Sequence, residues 1–239
     1  MTTLIGTAGW SIPRANADAF PTDGTALQRY AARFNAVEIN SSFHRPHRRE
    51  TWQRWGDSVP ADFRFAAKLP KAITHAARLI ECAPAVTTLL GEASGLGEKL
   101  AVLLVQLPPS LVFDARSVAT VLTQLAAETP AAIAIEPRNA SWTTPEADAL
   151  LVSHRAARVA ADPARAPALA DPGGWPGLAY WRLHGTPVMY RSSYADRIAH
   201  YAAAIVQHRA ADRWCMSDNT ASSAATGDAL ALMDALPPR

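Results

Sequence analysis

The chain has 239 residues, 49% of them hydrophobic, which is enough for one α/β domain with a full core. A formal charge of +2 is too small to point to nucleic acid or an acidic membrane surface, and no apolar run approaches the ~20 residues of a membrane helix. Two distant cysteines, Cys82 and Cys215, and an N-terminus without a leader pattern predict a cytoplasmic protein without disulfides.

Short apolar runs alternate with helical patterns along the whole chain. The first strand, Thr3 to Ala8, stops at Gly9-Trp10. Leu27, Tyr30, Ala31 and Phe34 share one face of a helix over 25–34. A second strand, Ala36 to Asn40, leads into Ser41-Ser42-Phe43-His44, and a short helix over 49–55 carries Trp52 and Trp55. The third strand, Arg64 to Ala67, ends at Lys68, with Thr74 and His75 in the loop beyond. A helix over 84–91 precedes the fourth strand, Leu100 to Val105, which ends at Gln106. Val118, Val121, Leu122 and Leu125 mark a helix over 115–127.

The fifth strand, from Ala131, halts at Glu136-Pro137-Arg138, because Pro137 cannot continue a helix or donate to a ladder. Thr144 and Pro145 read as N-cap and first helical residue of the next helix. A sixth strand over 158–161 ends at Asp162-Pro163. The Pro-, Gly- and Ala-rich stretch 164–177 predicts a weak or irregular sixth helix. The seventh strand, Leu178 to Leu183, runs into His184-Gly185 and a loop with Tyr190 and Tyr194. A helix over 196–208, an eighth strand over 213–216 ending in Asp218-Asn219, and a last helix over 222–236 complete the chain.

Eight strand–helix units of this length predict a single (β/α)8 TIM barrel over 1–239, a closed parallel sheet whose active site lies at the C-terminal strand ends. An open doubly wound sheet is the alternative, weakened by the absence of a glycine-rich phosphate loop. Those ends carry Trp10, Glu38, Asn40, Lys68, Gln106, Glu136, Arg138, Asp162, Arg182, His184, Asp218 and Asn219, and Trp10, Phe43, Trp142, Tyr190 and Tyr194 could stack on a sugar or a base. Each also has a structural reading: Glu38 pairing inward with Arg182 or Lys68, Glu136 with Arg138, His75 capping a helix, Gln106 holding a turn, the aromatics packing. Buried polar side chains cost free energy unless paired, so their concentration on one rim points to function.

The motifs Gly6-Thr-Ala-Gly-Trp10, Val37-Glu-Ile-Asn-Ser-Ser-Phe43, Lys68 with Ile73-Thr-His75, Gln106-Leu-Pro-Pro-Ser110, Glu136-Pro-Arg138 with Ser141-Trp142, Arg182-Leu-His-Gly185 and Asp218-Asn219 are similar, in this order, to those of domain of unknown function 72. The resemblance implies a TIM barrel and supplies no reaction. The chain departs from that pattern at His44, at Ile12-Pro13 and at Met216-Ser-Asp-Asn219.

Rim acids and bases nearly cancel, which favours general acid/base work over a metal centre, and no metal or cofactor is expected. The leading expectation is an uncharacterised enzyme of hydrolase-like, acid/base type on a small sugar- or phosphate-bearing substrate. Glu38 and Glu136 would be its acid/base pair, His75 and His184 proton relays, and Lys68, Arg138 and Arg182 the anion holders. Trp10, Asn40, Gln106, Trp142, Asp162, Tyr190, Asp218 and Asn219 would contact the substrate. A Schiff-base lyase using Lys68, nucleic-acid processing through the Arg-rich stretch 44–54 (not favoured) and a non-catalytic ligand-binding barrel are the alternatives. The oligomeric state is open.

Overall fold

The structure, a computed structural model, describes residues 1–237. In chain order its elements are β1 (Thr2–Thr7), α1 (Ala26–Ala31), β2 (Ala36–Ile39), α2 (Ser41–His44), α3 (Arg49–Asp57), β3 (Arg64–Lys68), α4 (Ala83–Ala93), β4 (Leu100–Gln106), α5 (Ala115–Glu128), β5 (Ala132–Glu136), α6 (Pro145–Ser153), β6 (Ala156–Arg158), β7 (Ala160–Asp162), β8 (Gly173–Gly174), β9 (Leu178–Leu183), α7 (Ile198–Gln207), β10 (Asp212–Ser217) and α8 (Ala224–Ala235). The helices start where local chemistry dictates. Thr25 accepts from the Gln28 amide while the Gln28 side chain accepts from the Thr25 amide, a reciprocal cap for α1. Thr144 caps α6 ahead of Pro145, and Asp114 caps α5 through the Ser117 amide at 2.8 Å. Each such cap stabilises its helix by about 1 kcal/mol. No helix among the described residues is long and apolar enough to cross a membrane.

The strands do not form the single closed eight-stranded parallel barrel that the strand count predicts. They form two sheets, one ordered β1-β10-β9-β7 and one ordered β2-β3-β4-β5-β6-β8. Two local features divide them. Between β1 and β2, side chains occupy the seam where a ladder would run. The Tyr30 hydroxyl accepts from the Thr7 amide at 2.8 Å and donates to the Ala36 carbonyl at 3.2 Å. Asn35 accepts from the Ile5 amide and donates to the Thr3 carbonyl, both at 2.8 Å. Among the described residues only an isolated bridge, Ala8 to Glu38, joins these edges directly. At the other junction Val159 interrupts the expected sixth strand. Before it β6, which begins two residues ahead of the expected strand, pairs with β5; after it β7 pairs with β9. The segment after β7 contributes a 3-10 turn over Pro167–Leu169 and then β8, which adds to β6 antiparallel and makes that sheet mixed.

Side-chain alternation along the strands sorts residues into two layers. Leu4, Ala36, Ala66, Val102, Leu104, Ala134, Ala157, Leu178, Tyr180, Trp214 and Met216 pack together on one face. The alternate residues, such as Ile5, Val37, Ala67, Leu103, Ile133 and Cys215, pack against the helices. Two residues on from the first set stand Glu38, Lys68, Gln106, Glu136, Arg182 and Asp218. The same period of two that builds the core thus aims these polar groups at one another.

Candidate active site at the strand ends

Arg182 is the centre of the cluster and is fully buried. Its Nε and Nη2 donate to Glu38 Oε2 and Oε1 at 2.9 and 2.7 Å, a two-pronged grip. Nη1 donates to Glu136 Oε2 at 2.5 Å, and Nη2 also reaches Asp218 Oδ2 at 3.0 Å. One guanidinium therefore joins carboxylates from β2, β5 and the end of β10. Tyr180, two residues before Arg182 on β9, donates to Glu38 Oε2 at 3.1 Å.

His184 closes a second circuit. Its Nδ1 lies 2.9 Å from Asp218 Oδ2 and its Nε2 lies 3.1 Å from Glu136 Oε1. Burial alone would push this imidazole down; the Glu136 carboxylate and the bond to Asp218 outweigh it and hold His184 above its ordinary value. Burial opposes ionisation of Glu136 and Asp218 as well, yet Arg182 and His184 keep Glu136 well below, and Asp218 below, the usual carboxylate range. Glu136 is further bonded by Gln106 at 3.1 and 3.2 Å and by Arg138 Nε at 2.8 Å.

The outer edge of the cluster is cationic and aromatic. The Lys68 ammonium sits 4.3 Å from the centroid of the Phe43 ring, and the residue is 7% exposed. Burial, aided by Arg182, lowers its amine to about 8 against the pull of Glu38, Asp218 and Glu136. The Arg138 Nη1 and Nη2 groups each approach the Tyr190 hydroxyl at 3.4 Å. Tyr190 packs edge-on to His184, and the Phe43 ring packs edge-on to His75. His75 lies in a π-helical turn over Ala72–Ala76 and is held below its ordinary value by burial and then by Lys68 and Arg138. Asn40 donates to Asp218 Oδ1 at 3.4 Å, and its own buried Oδ1 has no hydrogen-bond partner among the described residues.

A model of the family described as "Protein of unknown function DUF72" matches residues 4–239. This chain belongs to the DUF72 family. Its structure is similar to that of a DUF72 family protein from Enterococcus faecalis, with a TM-score of 0.83 at 19% identity over 100% of this chain and 99% of the other. A DUF72 family protein from Thermotoga maritima gives a TM-score of 0.77 at 22% identity over 98% of each chain. At these identities the likeness is one of fold. The UPF0759 protein YecE of Escherichia coli is 37% identical over 84 residues, 35% of this chain. The match spans about a third (31%) of that relative's length.

Within this DUF72 fold Glu38, Asn40, Lys68, Gln106, Glu136, Arg138, Arg182, His184, Tyr190 and Asp218 come together, with His75 at the margin. Four other sequence-predicted residues are engaged elsewhere. Trp142 is fully buried, packs on Phe113 and donates its indole N–H to the Leu111 carbonyl. Asp162 accepts from Thr186, Arg197 and Tyr201, tying β7 to α7 and the loop before it. Asn219 donates to the Ser192 carbonyl and to Asp228, which anchors α8. Trp10 packs edge-on against Trp55. Phe43, which the sequence offers as an aromatic able to stack on a sugar or base, stands in the cluster under the Lys68 ammonium. Tyr180 belongs to the cluster but not to the sequence-derived set; stepping back by two from Arg182 along β9 would have found it.

Proposed function

We propose that this DUF72 protein is an enzyme of the acid/base type acting on a small anionic substrate at the mouth of the cluster. Lys68 and His184 move the protons, and Arg138 holds the anionic group. The observation that carries this reading is the Lys68 ammonium, unpaired among the described residues and beside carboxylates already engaged by other cations. An amine lowered to about 8 is partly neutral at physiological pH and can take a proton. His184, held above its ordinary value, can give one. Glu38 and Glu136 do not suit the acid/base pair that their positions suggest. Both are gripped by the Arg182 guanidinium, and Glu136 is kept ionised by Arg182, His184 and Arg138. Their role in this reading is electrostatic: they fix the guanidinium and imidazolium groups in place. A hydrolytic water then lacks Glu38 and Glu136 as its base, so proton transfer on the substrate fits better than hydrolysis assisted by that pair.

The test is solvent-deuterium exchange, followed by NMR, into a panel of small sugar phosphates, hydroxy acids and oxo acids. Exchange or turnover is expected with the wild-type protein and not with Lys68→Arg, which keeps a charge but loses the titratable amine. If no compound in a broad panel exchanges faster with wild type than with the folded variant, the reading fails.

A further inference from the structure

The chain carries 20 arginines and only three lysines, Lys68, Lys71 and Lys99. Cations that serve solubility or structure are here almost always guanidinium groups. Lys99 is explained by its bonds to the Gly56 and Val59 carbonyls at 2.6 and 2.8 Å, and Lys71 is exposed. Lys68 is buried, yet its ammonium makes no hydrogen bond or ion pair among the described residues. Arginine at this position would keep its charge under all conditions and could fork onto Asp218 or Glu136. What lysine alone supplies is a nitrogen that can lose a proton and attack.

We propose that Lys68 is a nucleophile that forms an imine with a small aldehyde or ketone bearing a carboxylate or phosphate. This inference rests on the reading of the cluster as an active site and names its substrate class. The surroundings suit the step. The Phe43 face attracts the ammonium without accepting a conventional hydrogen bond, so the nitrogen lone pair is free once the proton has left. The Ser42 hydroxyl donates to the Lys68 carbonyl at 2.7 Å and fixes the backbone beneath it. Arg138 supplies the anion contact. Its Nε is committed to Glu136 at 2.8 Å, while among the described residues its Nη groups meet only long approaches, 3.4 Å to Tyr190 and 3.5 Å to His184 Nε2. Its side chain is 14% exposed, against none for Arg182. An amine with its value near 8 reacts where an ordinary lysine would be almost wholly protonated.

The step balances without a further reactant. The ammonium releases one proton, and the neutral nitrogen attacks the carbonyl carbon. The C=O π pair goes to oxygen, which takes up the released proton, and the attacking nitrogen gives up a second proton to leave the neutral carbinolamine; that second proton serves the next step. Protonation of that hydroxyl lets it leave as water while the nitrogen lone pair forms C=N. The sum is ammonium plus carbonyl compound giving protonated imine plus water.

The experiment is reductive trapping on the full chain at pH 7. Glyoxylate (carboxylate arm), glyceraldehyde 3-phosphate (phosphate arm) and glyceraldehyde (neutral arm) are each reduced with sodium borohydride, and the adducts are located by peptide mapping. We expect labelling at Lys68 at least about tenfold over Lys71 and Lys99, given the larger neutral fraction of its amine. Lys68→Arg should lose it, and Arg138→Met should lower labelling by the anionic arms but not the neutral one. Whichever anionic arm labels faster identifies the anionic group. Labelling spread evenly over the three lysines, or none, overturns the imine; equal labelling by all arms, unmoved by Arg138→Met, overturns the anionic substrate class. The two readings separate cleanly: deuterium exchange lost in Lys68→Arg without any adduct leaves proton transfer standing and removes the imine. If Lys68→Arg does not fold, competition by excess glyoxylate against the glyceraldehyde adduct on wild-type Lys68, the two told apart by mass, decides the point, with no loss of that adduct counting against it.

Discussion

Arg182 holds Glu38 by two parallel hydrogen bonds, 2.9 Å from Nε and 2.7 Å from Nη2, with both side chains fully buried. This pair links β9 to β2 across the interior and so bridges the two sheets. It is the mechanical centre of the cluster, because the same guanidinium orients Glu136 and Asp218.

Arg182→Met is expected to destabilise the fold strongly. The substitution leaves Glu38 and Glu136 buried without their main counter-charge, a change that costs about 3–5 kcal/mol. Urea unfolding at neutral pH measures it. A loss under about 1 kcal/mol would mean that the carboxylates find water or other partners and that the network does not secure the fold.

Lys68→Met is expected to act the other way. A cation whose folded value of about 8 lies below its ordinary 10.5 weakens the folded state wherever it is charged in both states. The penalty is complete below pH 8, shrinks between 8 and 10.5, and is gone above that range. The methionine variant should gain about 1–3 kcal/mol at neutral pH, with the gain narrowing towards pH 10.5. Urea midpoints at the two pH values decide. A loss of stability at neutral pH would show that Lys68 is structurally paired.

His184 sets the alkaline limb of stability and the carboxylates set the acid limb. A histidine raised in the folded state contributes fully below its ordinary value of 6.5 and loses the contribution as pH rises through the higher folded value. Glu136 and Asp218, depressed in the folded state, contribute above their ordinary values and lose it as pH falls through the folded ones. The melting temperature of wild type minus that of His184→Gln should therefore be largest near pH 6 and decline towards pH 9. A difference that grows with pH would reverse the assignment.

Tyr30→Phe probes the seam between β1 and β2. Without its hydroxyl the Thr7 amide loses its acceptor, and a buried unpaired donor costs about 1–3 kcal/mol. Amide hydrogen exchange should quicken at Thr7 and leave the β4–β5 ladder unchanged. Equal acceleration in both places would mean global destabilisation rather than a local seam.

Much of this molecule was legible from local pattern. Thr25, Asp114 and Thr144 announce helix starts, and the apolar runs mark strands. The period of two carries each strand's inward face up to Glu38, Lys68, Gln106, Glu136, Arg182 and Asp218, so the make-up of the cluster follows from one-dimensional information. The closed barrel does not, because closure depends on what lies between strands far apart in sequence. The Tyr30 hydroxyl and the Asn35 amide take the backbone groups that β1 and β2 would have exchanged, and Val159 splits one apolar run between two sheets. Likewise Trp142, Asp162 and Asn219 follow strands as the cluster residues do, yet their partners Leu111, Arg197 and Asp228 come from other segments and draw them away. The sequence by itself determined which side chains reach the strand ends, since side-chain direction is set by the dihedral angles of a few adjacent residues. Only the tertiary structure decided which carboxylate met which cation, and that Lys68 met none among the described residues, since those pairings depend on distances set by the whole fold.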